Sequence, residues 1–283
     1  MRNVVLNKDM NNNNFKKYFI YTILLFTIFV LIYIISIVHT LSKQDSGFTY
    51  RAWTWTEYYI FCLALIVIYK KFKWLSLRYI ALGILLSGVS YFSFIQQTDI
   101  FTVVTNSIVT FVAFLGGSLL SGGSNRNKSL LILQKYKSLF KSFLIGLIVA
   151  LPFALINYIY FRLTLGEAEW TNIFSAGFLA LAPGISEEII FRFFTMNFIF
   201  YLLEGKVERK YSVIISFFFG IVPHSLIHFP ELWIHNIPGA LFMLISTSFL
   251  FGLPMAFLQY KRNLETAITF HWFIDFIRFF GGY

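Results

Sequence analysis

The sequence predicts an all-α protein, a polytopic membrane helix bundle of about eight or nine transmembrane helices, and three observations carry that prediction. Of the 283 residues, 58% are hydrophobic and only 13% are charged, about half the charged share of a soluble domain. Apolar runs of roughly 20 residues, the length that crosses a bilayer core, recur along the whole chain. The basic residues collect between those runs, in alternate loops.

The runs fall at about 18–40, 54–69, 77–96, 99–121, 141–161, 172–203, 211–229, 239–259 and 264–280. A polar, basic stretch with Arg2, Lys8, Lys16 and Lys17 precedes the first. That run is too long for a signal-peptide core and has no A-x-A-like cleavage site, so it reads as a retained helix. The Asn run at 11–14 reads as a solvated tail. The second run holds the only cysteine, Cys62, which has no partner for an internal disulfide and is expected to face lipid or core.

Lys70, Lys71, Lys73 and Arg78 separate the second and third runs, and Asp99 alone separates the third and fourth. The small, basic segment SGGSNRNKS, Ser121 to Ser129, is the best internal boundary. It divides residues 1–138, an N-terminal four-helix membrane region with a basic tail and linker, from a C-terminal core at 139–283. Arg126, Lys128, Lys135, Lys137 and Lys141 lead into the fifth run, Lys206, Arg209 and Lys210 follow the sixth, and Lys261 and Arg262 follow the eighth. One orientation suits every loop: N-terminus cytoplasmic, nine spans, C-terminus outside. The net charge of +10 is thereby explained by loops at a membrane face, and no nucleic-acid partner is expected.

The residues that ask for a function lie in the last five runs. A charge at the bilayer centre costs roughly 2.5–3.5 kcal/mol on insertion scales and faces a bundle interior or a wet cavity. Yet Gly184 to Phe194 reads GISEEIIFRFF. Glu188 and Arg192 are four apart, so on a helix they share a face and pair. Glu187, about 100° away, points elsewhere and has no local cation. A Glu-Arg clasp between helices would account for Glu188 and Arg192 but not for Glu187. Pro183-Gly184 just before them predicts a kink.

The seventh run carries His224 and His228, also one turn apart, with Pro223 opening the helix beside His224. The ninth carries HWFID, which sets His271 one turn from Asp275. A carboxylate beside an imidazole fixes its tautomer. Interfacial histidines and a satisfied polar pair are the alternative readings. Taken together, Glu, Glu, Arg, His, His and Asp lie on three apolar helices at overlapping depths. A glutamate there could take a proton from a water attacking a carbonyl, with imidazoles serving the oxyanion or the leaving amine. That is amide hydrolysis within a membrane.

These motifs resemble the CPBP family of intramembrane proteases, the CAAX prenyl endopeptidase and bacteriocin-processing group also called Abi. The family pattern is EExxxR, then FxxxH, then HxxxN or HxxxD. Glu187, Glu188 and Arg192 fit the first, and His271 with Asp275 fits the third in its Asp form. The second departs, because Gly220 stands where Phe is expected, with Phe219 one place earlier. The role is carried to His224, with His228 as the alternative. The resemblance implies a glutamate endopeptidase that works without a cofactor on membrane-associated peptide or protein substrates. Glu and two His are also ligand types for zinc, so a metal site is the alternative, against which stands the lack of an HExxH motif. The Asn-, Ile- and Phe-rich composition points to a bacterial cell membrane. By the resemblance Glu187 activates water, Glu188 orients it with Arg192, and His224, His271 and Asp275 line the oxyanion side. Substrates could be CAAX-like proteins or maturing peptides and bacteriocins. A non-catalytic immunity or scaffold protein of the same fold, and a haem or proton-relay protein, are the other readings.

Overall fold

The structure is a computed structural model that describes residues 2–43, 47–95, 98–121 and 136–283, the side chains of 2–15 and of 136 excepted. The proposed boundary segment after Ser121, with Arg126, Lys128 and Lys135, lies outside the described residues. The helices are α1 (Arg2–Lys43), α2 (Phe48–Lys71), α3 (Leu77–Phe94), α4 (Ile100–Ser121) and α5 (Tyr136–Leu165), then α6 (Ile173–Leu179) and α7 (Leu181–Glu187). A π-helical segment, Glu188–Met196, joins α7 to α8 (Asn197–Leu203). There follow α9 (Arg209–Ile227), the single turn α10 (Leu232–His235), α11 (Ile237–Thr247), a second π segment (Ser248–Gly252), α12 (Leu253–Lys261) and α13 (Leu264–Phe280). No strand occurs among the described residues.

Among the described residues, eight helical stretches are long and apolar enough to cross a membrane, with α6 to α8 forming one and α11 to α12 another. The ninth expected span is α13, whose 17 residues reach about 26 Å at 1.5 Å per residue, short of a 30 Å hydrocarbon core. The long α1 takes in the Asn run at 11–14, so the backbone of that stretch is helical rather than a separate tail. Cys62 is exposed on the outward side of α2.

Caps fix where the decisive helices start. Asn172 opens α6 by accepting from the backbone N–H groups of Phe174 and Ser175 at 2.9 and 3.2 Å. Asn263 opens α13 in the same way, accepting from Thr266 N at 2.9 Å while its own amide donates to Ser142 on α5 at 3.0 Å. Asn is among the best residues for this role, because its side-chain oxygen satisfies otherwise orphaned donors.

In lipid, burying an apolar side chain removes no water, so helix association rests on close packing and polar contacts. That accounts for outward Ile34, Phe242 and Phe249, all more exposed than a soluble protein would keep them. It also accounts for the tight aromatic interior. Phe114 of α4 stacks on Phe193 of the π segment with ring centroids 5.5 Å apart. One buried cluster runs from Phe29 on α1 through Phe114 to Phe191 and Leu264. Helices from both sides of the 138/139 boundary therefore share a core. The first four helices flank the polar segment rather than standing apart from it.

Candidate active site

Two backbone features bring the polar residues together. The sixth span breaks at Ala180, where α6 ends and α7 begins. Beyond the break, Gly184 lets α7 close on α13: a Cβ there would lie 3.1 Å from the Cα of Trp272. Gly184 is one turn before Glu187 and Glu188, and Trp272 follows His271. The close approach therefore sets the glutamates beside the histidine. The helix then widens into the π segment, where Thr195 Oγ1 reaches the carbonyl of Ile190, five residues back, at 2.8 Å. π-helical turns concentrate at functional sites because they re-aim side chains.

On α9, Gly220 meets the π segment. A Cβ at this position would sit 3.1 Å from Met196 Cβ and 3.4 Å from the carbonyl of Phe191. The departure from Phe in the second motif thus has a packing reason: the crossing has no room for a ring. Phe219, one place earlier, is buried against α1 and α8 instead. Pro223 does not open the helix as expected, since α9 runs through it to Ile227. His228 is the residue that ends it.

The resulting network is closed and directional. Arg192 is fully buried and pairs with Glu188, Nη1 to Oε1 at 3.2 Å, as the four-residue spacing predicted. Its Nη2 lies 3.1 Å from His224 Nδ1. A guanidinium only donates, so Nδ1 accepts and the proton of His224 sits on Nε2. That Nε2–H donates to Glu187 Oε2 at 2.5 Å. The same oxygen is 3.6 Å from His271 Nε2 and 3.9 Å from His228 Nε2.

His271 holds the other glutamate: its Nδ1 is 2.9 Å from Glu188 Oε1. Its Nε2 is 3.3 Å from Asp275 Oδ2, and Asp275 in turn accepts from Arg278 at 3.0 Å. Glu187, without a local cation on its own helix, is thus met by imidazoles from two other helices. All seven expected site residues converge. His228 joins them at the rim, its Nε2 3.2 Å from that of His224 and its side chain 35% exposed.

Four participants were not anticipated. Trp53 of α2 packs edge-on against His224 and His228, with centroids 5.8 and 5.4 Å apart. One turn later Glu57, 4% exposed, accepts from Asn106 of α4 at 2.6 Å. Arg278 anchors Asp275. Glu57 falls inside the second apolar run, so the argument that singled out Glu187 applied to it as well.

Two cavities meet at this cluster. One of about 550 Å³ has His224, His228, His271 and Asp275 on its wall, with Phe242 and Leu250 opposite. The other, about 250 Å³, is bounded by Glu187, Ser186, Glu57 and Asn106. Glu187, His224 and His228 also offer donor atoms within 4.8 Å of one another, a set suited to zinc. Two ligands on a tetrahedral zinc stand roughly 3.3 Å apart given bond lengths of 2.0–2.1 Å. Glu187 and His224 stand closer than that, at 2.5 Å, so the set would have to open to hold the ion.

Comparison with curated proteins and with solved structures found no match. The family model Rce1-like, described as type II CAAX prenyl endopeptidase Rce1-like, matches residues 168–277. That stretch contains all three motifs and bears out the family resemblance. Over residues 168–277, this membrane protein is similar to the type II CAAX prenyl endopeptidase Rce1-like family.

Proposed function

We propose that the protein is an intramembrane endopeptidase in which Glu187 activates water against a peptide bond of a membrane-associated peptide or protein. One observation supports this above all: Glu187 Oε2 lies within 3.6 Å of ring nitrogens from both His224 and His271, two helices away from its own. Glu187 takes a proton from water while the water oxygen adds to the carbonyl carbon. The C–N bond then breaks, and Glu187 returns the proton to the departing nitrogen. Bond and proton counts balance, and no cofactor takes part.

The other residues divide the supporting work. Because its Nε2–H already points at Glu187, His224 orients the base, and Arg192 holds His224 in that tautomer. The oxyanion then falls to His271, as a donor on the wall of the larger cavity. Glu188 and Asp275 keep His271 in place. Apolar walls such as Phe242 and Leu250 suit the membrane-associated part of a substrate, whether a CAAX-like terminus or a maturing peptide. The alternating loop charges support an N-terminus on the cytoplasmic side of a cell membrane.

The test is cleavage of membrane peptides by the wild type, Glu187→Gln and His271→Ala, each checked for folding. A general base accounts for about 10²–10⁴-fold in rate, so Glu187→Gln should lose at least a hundredfold in kcat. Undiminished cleavage in both folded variants would end the reading.

A further inference from the structure

The smaller cavity has no part in the steps above, yet Glu187 stands on its wall. Glu57, a carboxylate only 4% exposed, also lines it. Among the described residues, Glu57 accepts a hydrogen bond from a neutral amide, Asn106 Nδ2 at 2.6 Å. Asn106 is itself tied to Ser90 of α3 at 3.4 Å. Three helices thus hold the carboxylate in place without a cation. Arg278 also borders the cavity; its Nη2 pairs with Asp275 at 3.0 Å, and among the described residues it makes no ion pair with Glu57. A buried carboxylate left without a cationic partner is costly, and the cavity beside it opens onto Glu187.

The two cavities also differ in which reacting group they flank. His228, His271 and Asp275 face the larger one, so a carbonyl oxygen taking hydrogen bonds from imidazole lies on that side. Glu187 and Ser186 face the smaller one. The nitrogen that receives its proton from Glu187 therefore departs on that side. Hydrolysis turns this nitrogen into an amine that becomes an ammonium. We propose that the Glu57–Asn106 cavity is the leaving-group site, which receives the amine half of the cleaved bond and sets Glu57 against the new ammonium. The assignment rests on the proteolytic reading. It makes Glu57 a binding residue for a cationic chain end and places the acyl half of the substrate in the larger, apolar-walled cavity.

The experiment uses the full-length protein in detergent or nanodiscs and two probes: the tripeptide Ala-Val-Phe with a free α-amine, and the same tripeptide N-acetylated. Binding is read from tryptophan fluorescence, since Trp53 borders the cavity, and from inhibition of membrane-peptide cleavage. The free amine should bind wild type at least tenfold more tightly than the acetylated form, and Glu57→Gln should bring the ratio to about one. The wild-type comparison needs no variant, so it stands even if Glu57→Gln fails to fold. Equal binding of both probes to a wild type that cleaves, or a preference that persists in folded Glu57→Gln, overturns the leaving-group assignment alone. A wild type that cleaves no peptide overturns the proteolytic reading and this assignment with it.

Discussion

Glu187 and His224 lie 37 residues apart in sequence and 2.5 Å apart in space, Oε2 to Nε2. The direction of that bond is set from behind, by Arg192 donating to His224 Nδ1 at 3.1 Å. One arginine thus fixes a carboxylate on its own helix and a tautomer on another.

Removing Arg192 should therefore cost more than one ion pair. Glu188 and Arg192 are both 0% exposed, and stripping the cation from a buried pair costs about 3–5 kcal/mol. Arg192→Ala should lower the thermal midpoint of the solubilised protein markedly. Arg192→Lys keeps the charge but lacks the two-pronged reach of a guanidinium. It should fold better yet lose most activity, because a single ammonium does not serve Glu188 and His224 together. Equal midpoints for wild type and Arg192→Ala would contradict this.

Gly220 gives a prediction against the family pattern. Writing the expected phenylalanine at that position should destabilise the protein, since a Cβ there already meets Met196 at 3.1 Å. Overpacking costs about 1–3 kcal/mol, occasionally more. Denaturation of Gly220→Phe beside Gly220→Ala checks it, with the larger loss expected for Phe.

Chelation should leave cleavage unchanged. In the proposed reaction Glu187 takes up and returns a proton itself, with His224 orienting it, and no step needs a metal. Treating the purified protein with EDTA and 1,10-phenanthroline, then assaying the same membrane peptide, is sufficient. Loss of activity that zinc restores would replace the glutamate mechanism with a metal one.

Trp53 connects the N-terminal helices to the chemistry. Its ring braces His224, His228 and Phe191 at centroid distances of 5.4–5.8 Å. Trp53→Ala should lower kcat about tenfold or more by loosening His224, whereas Trp53→Phe should recover much of it. A 1 Å misplacement can cost a hundredfold in rate. Unaltered kcat in a folded Trp53→Ala would show that the brace is dispensable.

Much of this arrangement could be read from residue order. Apolar runs located most helices to within a few positions, and 264–280 matches α13 at both ends. But α1 and α2 begin at Arg2 and Phe48, well before the runs at 18 and 54, because polar residues also join those helices. The ion pair of Glu188 with Arg192 followed from a four-residue spacing, which the widened backbone preserves. Other features leave no such mark. A π segment has no periodicity distinct from a short apolar helix, so Glu188–Met196 read as plain α. Gly220 looked like a defect in a motif because its reason, the carbonyl of Phe191, belongs to a different helix. Trp53 carries no charge and looks like any aromatic near a membrane surface. Glu57 was legible in principle as an acid within an apolar run, but that run, 54–69, holds no second charged residue or histidine to mark it as part of a cluster.

The bracing of His224 and His228 by a side chain from α2 has a practical corollary for anyone wishing to shorten the protein. The stretch that matches the family, 168–277, leaves out Trp53, Glu57 and Asn106, and even Arg278. Excised alone it would keep every motif and lose one wall of the chamber those motifs surround. The smallest useful version of this molecule has to retain its opening helices, because the motif lettering and the enclosure around it are written in different halves of the chain.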